Sequence, residues 1–268
     1  MAIDNTLMPH LLILALPVPP RSLEMLGELV EERSIDTPFG RTGPLARRQC
    51  STCQQDVWVL PYFGAPTRTD PRATLWAAKE LGVQRILAIE GMVGLDHSLT
   101  RGDIVLPSDY IDWTKHQPST FFEKKGAGYI SQKPPFCPDI SAAIHTHLPE
   151  ARPVIYLGDE GPRHETAAEA RMFQQWGAHV RGLNLVPETY LAKEMELCFA
   201  AIGLIVAHGA DRERAQGQGE VRRATREILA ALTAIFATLP DPPICGCNHL
   251  QDRARKRGVL PSYWREWK

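Results

Sequence analysis

The sequence predicts an α/β fold: a single-domain, three-layer sandwich around a central, mostly parallel mixed sheet. Three observations lead there. Aliphatic runs at 11–16, 85–89 and 199–206 have the pattern of strands buried on both faces. Stretches of helical apolar spacing alternate with such strands along the chain. At 268 residues and 44% hydrophobic content, the chain has the length for one large domain with a sizeable core.

The elements follow in order. The first strand, Leu11 to Leu16, ends at Pro17-Val18-Pro19-Pro20. Leu23, Leu26 and Leu29 fall at helical spacing, which predicts a helix over 21–32, and Thr37-Pro38-Phe39-Gly40 reads as a turn. A short strand covers 57–60. Asp70 as cap and Pro71 in the first turn open a helix through Leu81, stopped by Gly82. Strands follow at 85–89 and 102–107, then a long polar and aromatic loop over 117–137; loops of that length are usually functional or poorly ordered. Strand, helix, strand and helix then alternate at 153–157, 167–176, 180–185 and 187–195. A strand at 199–206 and a long helix at 220–239 complete the body. In such sheets ligands sit beyond the carboxyl ends of the strands.

Beyond Pro240 the composition changes to Asp-Pro-Pro, two cysteines, the basic run at 253–257 and an aromatic run at 263–267. The division expected is therefore a body over 1–240 and an appendage over 241–268, docked on the body or on a neighbouring subunit. The basic run is short and reads as a solvated helix face.

Charge and cysteines narrow the function. Thirty basic residues nearly balance 31 acidic ones, so the electrostatic footprint of a nucleic-acid binder is missing. The apolar run at 11–16 is too short to span a bilayer and resembles no signal peptide. A cytoplasmic protein with a small-molecule ligand is expected, with no nucleic-acid and no membrane partner. Cys50-x-x-Cys53 and Cys245-x-Cys247-x-His249 have the residue types of metal ligands, yet the second spacing is unlike a zinc ribbon. They are taken as ordinary thiols far apart in the fold, with no metal site.

Residues 160–194 carry the most chemistry. Glu160, Gly161, Pro162, Arg163, His164 and Glu165 set carboxylates, an imidazole and a guanidinium on a turn that leads straight into a helix. This stretch resembles the trimeric branch of the purine nucleoside phosphorylase superfamily, which contains methylthioadenosine, methylthioinosine and 6-oxopurine nucleoside phosphorylases. Thr37-Pro38-Phe39-Gly40, the run 75–80, Gly102-Asp103-Ile104-Val105, Tyr110-Ile111-Asp112, Pro135-Phe136-Cys137-Pro138 and Cys245-Gly246-Cys247 fall in the family's order. The likeness spans most of residues 11–250.

The resemblance implies a nucleoside phosphorylase-like sandwich, a homotrimer, and cleavage of a purine N-glycosidic bond with phosphate as co-substrate and no cofactor. Such a reaction needs a base pocket, a sugar pocket and an anion pocket. In the base pocket His164 falls where the family places a ring against the purine, and Glu165 where 6-oxopurine enzymes accept from N1. A helix-capping role with Thr166 is the competing reading of that pair. Ala207 stands where the family has an N7-facing asparagine or aspartate, leaving His208 or Asp211 as the candidate proton donors. Leu183 and Asn184 fall on the sugar pocket, and Tyr129 is the candidate for a group that closes over a neighbour's sugar.

The anion pocket departs from the family pattern. Prolines 17, 19 and 20 replace a glycine-rich turn, and proline has no N–H to donate. Only Arg68 and Arg72 stand near the family's basic positions, as the candidate phosphate contacts. Glu90 replaces a hydroxyl-bearing loop residue, where its charge opposes phosphate. Three readings follow: a phosphorylase with an unusual phosphate site, a hydrolase in which Glu90 activates water, or a non-catalytic nucleoside-binding scaffold.

Overall fold

The structure is a computed structural model that describes residues 8–53, 55–61, 70–123, 130–209 and 218–267. β1 (His10–Ala15), a 3-10 helix (Pro20–Leu26), β2 (Glu28–Arg33), β3 (Asp36–Thr37), β4 (Gly40–Arg41), β5 (Leu45–Cys50) and β6 (Gln55–Leu60) come first. α1 (Pro71–Glu80), β7 (Arg85–Gly94), β8 (Ile104–Asp112), α2 (Pro138–His147), β9 (Arg152–Gly158), α3 (Ala167–Gln175) and β10 (Val180–Gly182) follow. α4 (Glu188–Glu194), β11 (Cys198–His208), α5 (Gln218–Thr238) and α6 (Asp252–Lys256) complete it.

Nine strands form one mixed sheet in the order β10-β9-β8-β11-β7-β1-β6-β5-β2, and β3 and β4 make a separate hairpin. The middle is parallel, β6 with β1, β1 with β7 and β7 with β11, while β5 and β2 add antiparallel to one edge. Every residue of β11 from Cys198 to Ile205 is buried, so helices cover both faces of the central strands. α2 packs on α5 and α1 on α4, with α2, α4 and α5 all against β11. β11 also carries a β-bulge: Ile205 pairs with Met92 and Ala207 with Val93, so Val206 is the extra residue. Among the described residues no helix is long and apolar enough to cross a membrane.

Most expected elements stand where the pattern puts them. Asp70 caps α1 by accepting from the Arg72 amide at 2.9 Å, and Gly82 follows it at φ +75°. Thr37-Pro38-Phe39-Gly40 is the β3–β4 turn. Three expectations are corrected, and two elements were not expected. The helix over 21–32 is a short 3-10 helix that stops at Gly27, whose φ of +102° and whose approach to the Gln49 carbonyl leave no room for a Cβ; the chain beyond is strand β2. The segment after 85–89 is not a loop, since β7 runs on to Gly94. The strand expected over 180–185 stops at Gly182. β5 was not foreseen, and neither was α2, which begins one residue after the long loop.

Residues after 240 lie against the body. Trp267 is 1% exposed, and its indole nitrogen donates to the Pro261 carbonyl at 2.8 Å. Trp264 meets Trp76 of α1 edge to face at 4.8 Å. Arg255 is paired with Glu196 and Arg265 with Glu80.

Candidate active site

Glu90 lies in the middle of the sheet, between Ala15 of β1 and Gly203 of β11. Its side chain is buried and crosses to the end of β10. There Oε1 accepts from the Leu183 amide at 2.6 Å, the Asn184 amide at 3.1 Å and Asn184 Nδ2 at 2.9 Å. The approach is close enough that a Cβ on Gly182 would lie 2.6 Å from both Glu90 Oε1 and Tyr156 Oη, so only glycine fits at that position. Tyr156 Oη in turn accepts from the Asn184 amide at 3.2 Å. Burial pushes the Glu90 carboxyl above the usual carboxylate range, although the Leu183 and Asn184 donors pull the other way. Glu188, on the first turn of α4, is pushed up to about 8 by burial, with the Glu90 charge adding to the shift. Glu188 and Glu90 thus lie within electrostatic reach of one another.

The turn over 160–165 is built by internal bonds. Glu160 accepts from the amides of Lys115 at 2.7 Å, His116, and Gln117 at 2.8 Å, fastening that loop to the turn. Burial raises its carboxyl, but these donors outweigh burial and hold it below the ordinary range. Gly161 takes φ +63° against Leu183. Arg181 of β10 is 3% exposed and binds Asp159 at 2.8 Å and Glu165 at 3.0 Å, a buried network behind the turn. Glu165 therefore has a partner within the chain that its sequence position did not suggest, whereas His164 is exposed. The capping role belongs elsewhere: Thr166 caps α3 in a capping box with Glu169.

The end of β11 closes the arrangement. A Cβ on Gly209 would lie 3.7 Å from Glu165 Oε1, and one on Gly94 would lie 3.2 Å from His208 Nδ1. Ala207 and His208 are thus strand residues, paired with Val93 and Gly94. Leu183 and Asn184 thus lie on Glu90, while Glu165 lies beside Gly209 at the end of β11. Arg72 is elsewhere engaged: its guanidinium binds Asp70 at 2.8 Å and Glu123 at 2.5 Å and lies over the Phe39 ring, so its donors serve the start of α1. Arg68, Tyr129 and Asp211 lie outside the described residues. An apolar groove of about 440 Å³ occupies the place of the expected anion turn; it is lined by Leu16, Pro17, Val18, Val59 and Pro61.

Sequence reasoning missed Glu188, Tyr156 and Arg181. The signal for Glu188 was a carboxylate directly after Pro187 at a helix start. Nothing in the sequence singles out Tyr156, which reads as one more strand aromatic.

The cysteines are arranged otherwise than expected. Cys50 and Cys53 form a disulfide. Cys245 and Cys247 are not isolated thiols: they meet Cys137 and Cys198, and the four sulfurs all lie within 4.8 Å of one another. His249 takes no part and faces Asp252.

The family model described as "Phosphorylase superfamily" matches residues 9–239. The chain belongs to the phosphorylase superfamily. Among relatives within it, a probable S-methyl-5'-thioinosine phosphorylase of Methanothermobacter thermautotrophicus is 35% identical over 233 residues, 83% of this chain and 82% of that one. An S-methyl-5'-thioadenosine phosphorylase of Pyrococcus furiosus is 33% identical over 232 residues, covering 81% and 89%. Among solved structures, a methylthioadenosine phosphorylase from an antarctic soil metagenomic library superposes with TM-score 0.75 at 21% identity, covering 94% of this chain and 98% of that one. A double mutant of the Schistosoma mansoni adenosine/methylthioadenosine phosphorylase, in complex with adenine, gives 0.74 at 21% identity, covering 87% and 91%. These structural likenesses establish the superfamily fold, with its central mixed sheet.

Proposed function

We propose that this superfamily member cleaves the N-glycosidic bond of a purine nucleoside, of the methylthioadenosine or methylthioinosine type, with phosphate as co-substrate at an atypical anion site. The observation that carries the reading is its likeness, over four fifths of its length, to thioinosine and thioadenosine phosphorylases. Leu183 and Asn184 serve the sugar side, and His164 and Glu165 the base side. His208, at the end of β11, is the described residue assigned to protonate the departing purine, with Asp211 as the second candidate. Phosphate reaches the Leu183 and Asn184 donors only by displacing Glu90, so weak phosphate binding is part of the proposal.

A second reading takes water as acceptor, and it rests on the same Glu90 contacts: a carboxylate that already holds those donors suits a water molecule better than an anion. The test is incubation with methylthioadenosine, methylthioinosine and inosine, with and without phosphate, reading free base. Release that requires phosphate, together with a lowered phosphate KM in Glu90→Thr, supports phosphorolysis. Equal release without phosphate supports water, and tight binding without release sinks both enzymatic readings. The proposal extends to a cytoplasmic homotrimer, supported by the family resemblance and tested by sedimentation equilibrium, where a monomer mass would reject it.

A further inference from the structure

The four-cysteine cluster stands outside the candidate active site and draws on three separate segments. Cys137 is the N-cap residue of α2, and its amide donates to the Phe199 carbonyl at 2.8 Å. Cys198 opens β11, with its amide on the Gln84 carbonyl at 2.9 Å. Cys245 and Cys247 arrive from the segment after α5. The Ile244 and Cys245 amides both donate to Asp139 Oδ2 at 3.1 Å, and Gly246 at φ +77° lets the two flanking sulfurs turn to one side. Cys137 and Cys198 are buried, and Cys245 and Cys247 are partly buried.

The sulfur spacing discriminates between chemistries. A disulfide needs about 2.0 Å between sulfurs and joins them only in pairs. Four thiolates on a tetrahedral zinc, at about 2.3 Å each, stand roughly 3.8 Å apart along every edge. Here Cys198 Sγ and Cys245 Sγ are 3.4 Å apart, and all four sulfurs are mutually within 4.8 Å. Those distances fit a tetrahedron round one ion and not two bonded pairs, and all four thiols are free. A tetrathiolate zinc carries a net double negative charge, and a buried cation stands ready for it. The Lys193 ammonium donates to the Ser131 and Pro134 carbonyls and interacts electrostatically with Cys137 and Cys247. The N-terminus of α2 favours negative charge on Cys137 as well.

We propose that Cys137, Cys198, Cys245 and Cys247 bind one structural zinc ion that fastens the chain after α5 to the start of α2 and the start of β11. Binding is balanced as Zn²⁺ plus four thiols giving a tetrathiolate complex and four released protons; no electron is transferred. The closed set of four protein ligands leaves no position for substrate, which marks the site as structural.

The test uses the full chain, produced with zinc present and without chelator. Elemental analysis is expected to give about one zinc per chain, falling to near zero in Cys245→Ser and unchanged in Cys50→Ser. Should Cys245→Ser not fold, the wild-type chain exchanged into cobalt answers the same question. Intense visible bands of tetrahedral cobalt with thiolate charge transfer are expected, and a weak octahedral spectrum would overturn the proposal. Peptide mapping without reductant that finds disulfides among these four cysteines, or zinc far below the chain concentration after refolding with zinc, would overturn it too.

Discussion

Glu90 Oε1, on β7, accepts the Leu183 amide at 2.6 Å just beyond β10, the strand that also pairs antiparallel with β7. A central strand thereby places a carboxylate on backbone donors at the end of another strand, and the first prediction follows from the space this takes. In Gly182→Ala the new methyl would meet Glu90 Oε1 and Tyr156 Oη at 2.6 Å. Something must shift, and overpacking of a rigid core costs about 1–3 kcal/mol. Urea unfolding should show that loss together with a changed KM for nucleoside; an unaltered midpoint and KM would mean that Glu90 is not held as described.

Arg181 neutralises Glu165 and Asp159 in a buried network. Replacing it by methionine keeps the bulk and strands the carboxylates, and breaking such a pair costs about 3–5 kcal/mol. The double variant Arg181→Met with Glu165→Leu should recover part of the loss, which a double-mutant cycle measures directly. Additive losses would remove the pair from the account.

Two buried groups should give opposing pH dependences in overlapping windows. His10, fully buried and stacked on Phe236 at 4.8 Å, is driven from 6.5 down to about 3 by burial and then by Arg85. The unfolded chain binds that proton more readily, so stability is lost as pH falls from about 6.5 towards 3. Glu188 works in reverse: the native carboxyl keeps its proton to about 8 against an ordinary 4.5. Stability is therefore lost as pH rises between those values and is level above them. Thermal melts across pH should lose the rise in stability between about 3 and 6.5 in His10→Phe and the fall between 4.5 and about 8 in Glu188→Gln. Slopes that survive both changes would assign them to other groups.

Trp267 is buried beside Phe122, with Lys79 and Arg255 over its ring. Truncation to alanine should cost about 3–5 kcal/mol, the range for a large aromatic in a packed site. Denaturant midpoints test this, and a loss confined to tenths would show that the segment after 240 contributes little to the body.

Periodicity made the sheet-and-helix order legible because its central strands are buried on both faces, as the runs at 85–89 and 199–206 state openly. Where the same rule failed, a single residue overruled it. Leu23, Leu26 and Leu29 have helical spacing, but Gly27 breaks the helix, and Leu29 ends exposed on β2. The family resemblance implied a loop after Ile89; in the structure a Cβ on Gly91 would meet Val206 at 3.2 Å, so that glycine marks close strand packing.

The site was legible in part. His164, Glu165, Leu183 and Asn184 came from one contiguous stretch. Glu90 was named apart from that stretch, and Tyr156 not at all, because both are brought to it by strand pairing that no local spacing encodes. The cysteines make the same point: Cys245 and Cys247 advertise themselves as a close pair, while Cys137 and Cys198 are lone residues until α2 and β11 are laid side by side.

The bulge at Val206 bears on how relatives of this chain are to be aligned. One inserted residue in a strand exchanges its two faces for every position that follows. Two homologues can thus match residue for residue through Ile205 and still turn different side chains toward the end of the sheet where the candidate site lies. Whether alanine or histidine answers to a relative's asparagine is decided by where each strand places its extra residue, so a count along the sequence is a poor guide to equivalence beyond that point.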